Sequence, residues 1–358
     1  MSVTSAWAWR WGGRTPCTAA IRVTLATVSE RSCPTSCLQN GANRCTCGAR
    51  LPCSCAGCPY DRLVDTTDRP HVPSPAARLS GAPAGLALSC HPGPVVAVTG
   101  LATALAVSSG PAHGRWVLVG AAVLAGQLSV GWCNDAFDAV RDAGAARPGK
   151  PVARGAVGRG TVWGAAFTAL FLCAVLSFAC GAAAGAAHMT GVVAAWAYNL
   201  RLKGTALSWL PYAIGFGSLP CLVALSLPGS PWPAWWAVAA GALLGVAAHL
   251  GDVLPDIEED LRAGVRGLPQ RLGPARVRRL LPAPLVAATA VLLLGPSEAP
   301  GGRTTAVLSG VALCAVAAAT VCAGPRPVGA WRKAALAGTV VAASADVALL
   351  LARGTQIA

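Results

Sequence analysis

The chain has 358 residues, of which 54% are hydrophobic and only 12% charged, with a mean hydropathy of +0.55. A soluble domain is nearer a quarter charged, so this composition excludes one. The formal net charge of +14 would suit a nucleic-acid partner, but the cations lie in short loops between apolar segments, and that placement excludes the nucleic-acid reading.

Residues 1–80 hold eight of the fifteen cysteines, with much Pro, Arg, Ser and Thr and no long apolar run. The segment has no secretory core, so it is not an ordinary signal peptide. Cys45, Cys47, Cys53, Cys55 and Cys58 are dense, yet their Cys-x-Cys spacings make no paired CxxC site and no local His completes one. The expectation is a disordered segment, or an extension from a start assigned too far upstream, and in either case one dispensable for activity. The other seven cysteines read as small buried hydrophobes rather than a disulfide framework.

From residue 94 onward nine apolar segments follow one another: 94–110, 116–136, 160–180, 182–199, 206–227, 232–252, 279–296, 304–323 and 332–352. Each is about the length that crosses a bilayer. They have almost no polar face, which rules out a soluble bundle, and their Gly and Ala content suits close helix packing in lipid. The fold class expected is all-α: an integral membrane protein of about nine transmembrane helices around a central cavity. Arg141, Arg147, Lys150, Arg154, Arg159, Arg201, Lys203 and nine further cations fall in alternate loops, while the opposite loops carry Arg115 and Arg303. This asymmetry predicts a multi-pass cell-membrane protein with a cytoplasmic N-terminus and an external C-terminus. Trp116, Trp132, Trp163, Trp209, Trp232, Trp235 and Trp331 lie near segment ends, as an aromatic belt does.

Downstream of residue 93 there are ten acidic residues, and eight lie in two short windows. The first window is NDAFDAVRD, with Asn134, Asp135, Asp138 and Asp142. The second is DVLPDIEED, with Asp252, Asp256 and Asp260. In each the carboxylates recur every fourth residue, along one helix face. Stacked carboxylates repel one another, and a divalent cation removes that cost. Mg²⁺ takes carboxylate oxygens and shares itself with substrate phosphates. Each cluster is followed by cations: Arg147, Lys150 and Arg154 after the first, Arg262, Arg266 and Arg271 after the second. Between them stand Tyr198, Asn199, Arg201 and Lys203. Carboxylates to hold metals, with Lys and Arg to neutralise the remaining phosphate charge, suit a diphosphate. If that diphosphate is allylic, the same groups make it a leaving group, and an apolar membrane cavity accepts a long isoprenoid tail.

The chain resembles the UbiA superfamily of intramembrane prenyltransferases. Asn134, Asp135, Asp138 and Asp142 match the family's NDxxDxxxD motif, and Asp252, Asp256 and Asp260 match its DxxxDxxxD motif. The RPGKP segment and Tyr198–Asn199 with Lys203 are also similar to the family. The resemblance covers residues 90–355. It implies nine helices around a cavity, two Mg²⁺ ions, and transfer of a prenyl group from a polyprenyl diphosphate to an acceptor, by default an aromatic of the lipoquinone type. It further implies Asn134, Asp138, Asp252 and Asp256 as metal and diphosphate ligands and Lys150, Arg154 and Lys203 as diphosphate cations. Tyr198 and Asn199 join the substrate-binding set, and Asp135, Asp142 and Asp260 join the carboxylates of the catalytic set. One departure is Pro255 inside the second motif, which is expected to kink the helix and tilt Asp256 relative to Asp252.

Two other function classes compete. A transporter with a cation-binding acidic site places such groups near the bilayer midplane in broken helices, whereas these clusters stand at segment ends beside dense positive charge. A phospho-alcohol transferase resembling the CDP-alcohol phosphotransferase family carries a D-G-x-x-A-R run, which is absent. Outside the clusters, His249 either faces the cavity or hydrogen-bonds a neighbouring helix. Asp346, inside the last apolar segment, is expected to be paired structurally, and Glu258 and Glu259 to solvate their loop.

Overall fold

The structure, a computed structural model, describes residues 37–40, 44–47, 51–52, 83–110, 114–144, 150–296, 310–311 and 330–358. The chain forms two compact units, Met1–His71 and Val72–Ala358. In the first, Cys37–Asn40 (β1), Arg44–Cys47 (β2) and Leu51–Pro52 (β3) make an antiparallel sheet in the order β1-β2-β3, with Cys37 opposite Cys47 and Thr46 opposite Pro52. The expectation of an all-α chain therefore holds for the second unit, and this small sheet is an exception to it. The rest of residues 1–80 lies outside the described residues.

The second unit is helical throughout its described residues. Its helices are α1 (Pro83–Ser89), α2 (Pro92–Ser108), α3 (Arg115–Gly144), α4 (Arg159–Ala179), α5 (Ala182–Leu200), α6 (Leu210–Ser226), α7 (Trp235–Val253), α8 (Ile257–Arg262), α9 (Leu268–Leu272), α10 (Pro274–Leu280), α11 (Pro282–Leu294) and α12 (Ala330–Ala352). Proline opens α2, α6 and α11 in the first turn, where its missing N–H has no partner to lose. Among the described residues, four stretches are long and apolar enough to cross a membrane: Arg115–Asp142, Arg159–Ala179, Trp235–Arg262 and Pro274–Leu294. The pair α1 and α2, bent by 62°, makes a fifth when taken as one broken span, and α6 and Gly338–Ala352 are shorter apolar helices. The eighth expected segment, 304–323, lies outside the described residues apart from 310–311.

The helices pack in sequence around a ring. α2 lies on α3, α3 on α4, α4 on α5, α5 on α6, α6 on α7 and α7 on α11; α12 packs on α11 and returns to α2. Small residues bring the backbones together: Gly245 on α7 lies so near the Tyr212 carbonyl of α6 that a methyl group there would strike it. The main core joins the late residues Leu105 of α2, Leu222 of α6 and Leu349 of α12 to the early residues Val119 of α3 and Trp236 of α7. That core marks one end of the ring. Because α3 and α7 both start there, both acidic windows, near their far ends, lie at the other end. A second core, with Leu250, Val253, Ile257, Val277 and Leu281, anchors the short helices α8 to α10 beneath the second window. On α4 the large side chains Phe167, Phe171 and Phe178 are exposed, as suits lipid tails.

Candidate active site

The first window occupies the last turns of α3, and Asp135, Asp138 and Asp142 are all buried. Two lysines from different loops reach this window. Lys150 Nζ lies 2.7 Å from Asp135 Oδ1. Lys203, in the 3₁₀ turn Leu202–Gly204 after α5, donates to Asp138 Oδ2 at 2.8 Å and to Asn134 Oδ1 at 3.5 Å. Arg141, one turn along α3, also contacts Asp138 at 2.5 Å. Charge-assisted bonds of this kind are the strong ones, and removing one member of such a buried pair leaves an uncompensated charge. Arg154 is exposed on the loop before α4 and is not brought to this cluster. Arg147 lies outside the described residues.

The second window is less regular. The α-helix stops at Val253, Leu254–Asp256 form a 3₁₀ turn containing Pro255, and α8 resumes at Ile257. The expected kink takes the form of a change in helix type, and Trp235–Arg262 still continues as one span. The change separates the three carboxylates. Asp252 and Asp256 are exposed, while Asp260 is buried. The Tyr212 hydroxyl donates to Asp252 Oδ2 at 3.0 Å. Asp260 Oδ2 accepts from the Gln270 amide at 2.9 Å, and its backbone carbonyl accepts from Val265 N at 2.9 Å. Glu258 is exposed and pairs loosely with Arg262 at 3.7 Å, and Glu259 is exposed beside it.

Tyr198, at the end of α5, joins the two windows. It lies within electrostatic reach of Asp138 from the first and of Asp252 and Asp260 from the second. Its ring meets Tyr212 edge-on at 5.2 Å, and His249 at 5.8 Å. The neighbouring Asn199 uses its amide to bond the Val130 carbonyl of α3 at 2.9 Å, which ties α5 to α3. His249 is buried and bonds Ser208 Oγ at 3.1 Å, and the same oxygen accepts from Leu268 N at 3.0 Å. The hydroxyl that His249 bonds belongs to the turn before α6 rather than to a neighbouring helix, and the ring also packs 4.8 Å from that of Tyr212. Asp346 is paired as expected: Thr289 Oγ1 of α11 donates to its Oδ1 at 2.6 Å.

Sequence reasoning missed His91, which stands between α1 and α2. Its Nε2 lies 3.2 Å from Asn134 Nδ2, 3.1 Å from Lys150 Nζ and 3.6 Å from Asp135 Oδ1. Its φ of 59° is uncommon for a residue other than glycine. That pairing of strain with a polar cluster was the available signal, but it is a tertiary one.

The donors Asn134, Asp138, Asp252 and Asp256 all offer oxygen, which suits a hard divalent cation. Among the described residues no three His, Cys, Asp or Glu side chains close around one point. Mg²⁺ is typically held by one or two carboxylates together with substrate phosphates, so an open donor set of this composition fits it.

The chain matches the model of the UbiA prenyltransferase family over residues 95–344. Its fold is similar to that of a UbiA homologue from Archaeoglobus fulgidus bound to GPP and Mg²⁺, at 17% identity and a TM-score of 0.56, covering 76% of this chain and 99% of that one. A UbiA homologue from Aeropyrum pernix K1 is 19% identical with a TM-score of 0.56, covering 70% of this chain and 96% of that one. A digeranylgeranylglyceryl phosphate synthase matches with a TM-score of 0.59 at 14% identity, covering 76% of this chain and 98% of that one. No curated protein sequence matches. The likeness to solved structures concerns the fold, whereas the family match spans well over half of the chain. With its apolar helices and paired acidic windows, this chain is a membrane protein that belongs to the UbiA prenyltransferase family.

Proposed function

We propose that the protein transfers a prenyl group from an allylic polyprenyl diphosphate to an acceptor within the membrane, in a Mg²⁺-dependent reaction. The observation that carries this reading is the convergence of Lys150 and Lys203, from two separate loops, on the carboxylates of one helix end. An ammonium group has three donors, and each of these lysines retains capacity for a phosphate oxygen after its carboxylate contact. Asn134, Asp138, Asp252 and Asp256 are the residues that would hold the metals. When bound, Mg²⁺ neutralises charge on the departing diphosphate.

The bond that breaks joins the allylic carbon to the diphosphate oxygen, and its electron pair leaves with the diphosphate. The acceptor's nucleophilic atom forms the new bond to that carbon, and the acceptor loses a proton. Lys150 and Lys203 stabilise the leaving group electrostatically. Tyr198, between the windows, presents an aromatic face to the allylic cation. An aromatic, lipoquinone-type acceptor is the default. The same reading takes the protein as a nine-span, multi-pass protein of the cell membrane with both acidic windows cytoplasmic, supported by the one-sided distribution of cations.

The test uses the full chain in lipid with a labelled prenyl diphosphate, Mg²⁺ and a panel of aromatic acceptors. The expected result is a prenylated acceptor with release of diphosphate, lost on chelation with EDTA and restored by Mg²⁺. Turnover that survives chelation would refute the metal–diphosphate mechanism.

A further inference from the structure

The two lysines of the first window are joined by a continuous polar chain. Lys203 donates to Asn134 Oδ1, Asn134 Nδ2 faces His91 Nε2, and Lys150 Nζ faces the same Nε2 while also bonding Asp135. An ammonium only donates, and Asn134 turns its NH₂ toward His91 because its oxygen accepts from Lys203. The His91 Nε2 has one lone pair, which the Lys150 ammonium and the Asn134 amide share. At 3.6 Å the Asp135 oxygen is too far for a hydrogen bond to the ring.

The backbone around His91 is built to hold it there. α1 and α2 meet at 62°. Gly131 of α3 lies directly against the Cys90 carbonyl, where any Cβ would collide. Trp132 Nε1 donates to the Leu86 carbonyl at 2.9 Å. Both clamps fall one turn before Asn134 and Asp135. They press the junction onto α3 with His91 in a left-handed conformation and its ring in the window.

We propose that His91 is a positioning residue that, through Asn134, sets the separation and direction of Lys150 and Lys203 for the two phosphates of a diphosphate. The proposal rests on the reading of the site as a diphosphate site. Lys150 is oriented by one bond to Asp135 and one to His91, which leaves a single ammonium N–H for the substrate. Without the imidazole, Lys150 swings about the Asp135 oxygen alone.

The test compares wild type with His91→Gly in the full chain in lipid. Glycine takes φ 59° without strain, so the backbone is kept and only the ring is lost. Binding of inorganic pyrophosphate with Mg²⁺ is read by calorimetry, and melting temperature is read separately. The expected result is an unchanged or higher melting temperature with a dissociation constant about tenfold weaker, the scale of one hydrogen bond to a charged group. In turnover, KM for the prenyl diphosphate rises while kcat stays within about threefold. His91→Gln, whose amide oxygen reaches toward Lys150, recovers part of the loss. The double variant His91→Gly/Lys150→Met is no weaker than Lys150→Met alone, because the two residues act as one unit. If His91→Gly fails to insert, His91→Asn replaces it, since Asn tolerates this conformation and its shorter side chain falls short of Lys150. Pyrophosphate binding as tight as wild type in the ring-deleted variant overturns the positioning role. A wild type that binds no pyrophosphate overturns the functional reading, and the positioning role with it.

Discussion

The two acidic windows have the same spacing in sequence and different surroundings in space. On α3 the helix is unbroken, the carboxylates are buried, and Asp135 and Asp138 are matched by Lys150, Lys203 and Arg141. After α7 a 3₁₀ turn interrupts the row, Asp252 and Asp256 are exposed, Asp252 accepts from the phenol of Tyr212, and Asp260 accepts from the amide of Gln270. A repeat of every fourth residue thus predicts a common face only while the helix type holds. The contrast also divides the work. In the function proposed above, the first window would bring its own cations to the phosphates, and both windows would offer carboxylates to the metals.

That division is open to attack from both sides. The largest effects are expected from Asp138→Ala and Asp256→Ala. Each should reduce prenyl transfer by about 10³-fold or more, roughly 4 kcal/mol of transition-state stabilisation, with the protein still inserted by protease mapping. Near-normal turnover in both would leave the resemblance as one of fold alone. Lys203→Ala should act on binding more than chemistry. We expect about a tenfold rise in KM for the prenyl diphosphate and a smaller change in kcat, because Arg141 still neutralises Asp138.

Asp260→Asn should be milder still, with turnover within about threefold of wild type, since an Asn oxygen accepts from Gln270 as the carboxylate does. A loss as deep as that of Asp256→Ala would keep Asp260 among the catalytic carboxylates. Thr289→Val should leave specific activity unchanged and lower thermal stability by about 1–3 kcal/mol, the cost of an orphaned buried acceptor. The smallest change is expected on deleting residues 1–80. The cut falls before α1, and both membrane insertion and turnover should persist; loss of turnover with normal insertion would assign the segment a role.

Much of the architecture was readable because the membrane enforces it. Apolar runs must become helices when no water is available to the backbone, and the termini of α2 and α4 to α7 fall close to the ends of the apolar runs, while α3 runs on past its apolar segment to Gly144. The acidic windows stood out because carboxylates are rare in such a chain. Pro255 signalled a disturbance, though its form, a short 3₁₀ turn that buries Asp260, depends on how Gln270 of α9 packs beneath it. His91 gave no signal in the sequence, only in the tertiary structure. It lies 43 residues before Asn134, in a stretch with no periodicity of its own, and it reaches the site only because Gly131 lets the α1–α2 junction settle on α3. Tyr212 is similarly silent in sequence, since its approach to Asp252 depends on Gly245 in a different helix.

The Thr289–Asp346 contact bears on how the protein is made. A carboxylate carried into lipid on a lone helix costs about 2.5–3.5 kcal/mol near the bilayer centre. The hydroxyl that receives Asp346 belongs to α11, which is translated first. α12 therefore leaves the translocon toward a surface that already offers its acid a partner, and it is also the helix that returns to α2 and closes the ring. Biogenesis is in this way ordered along the chain.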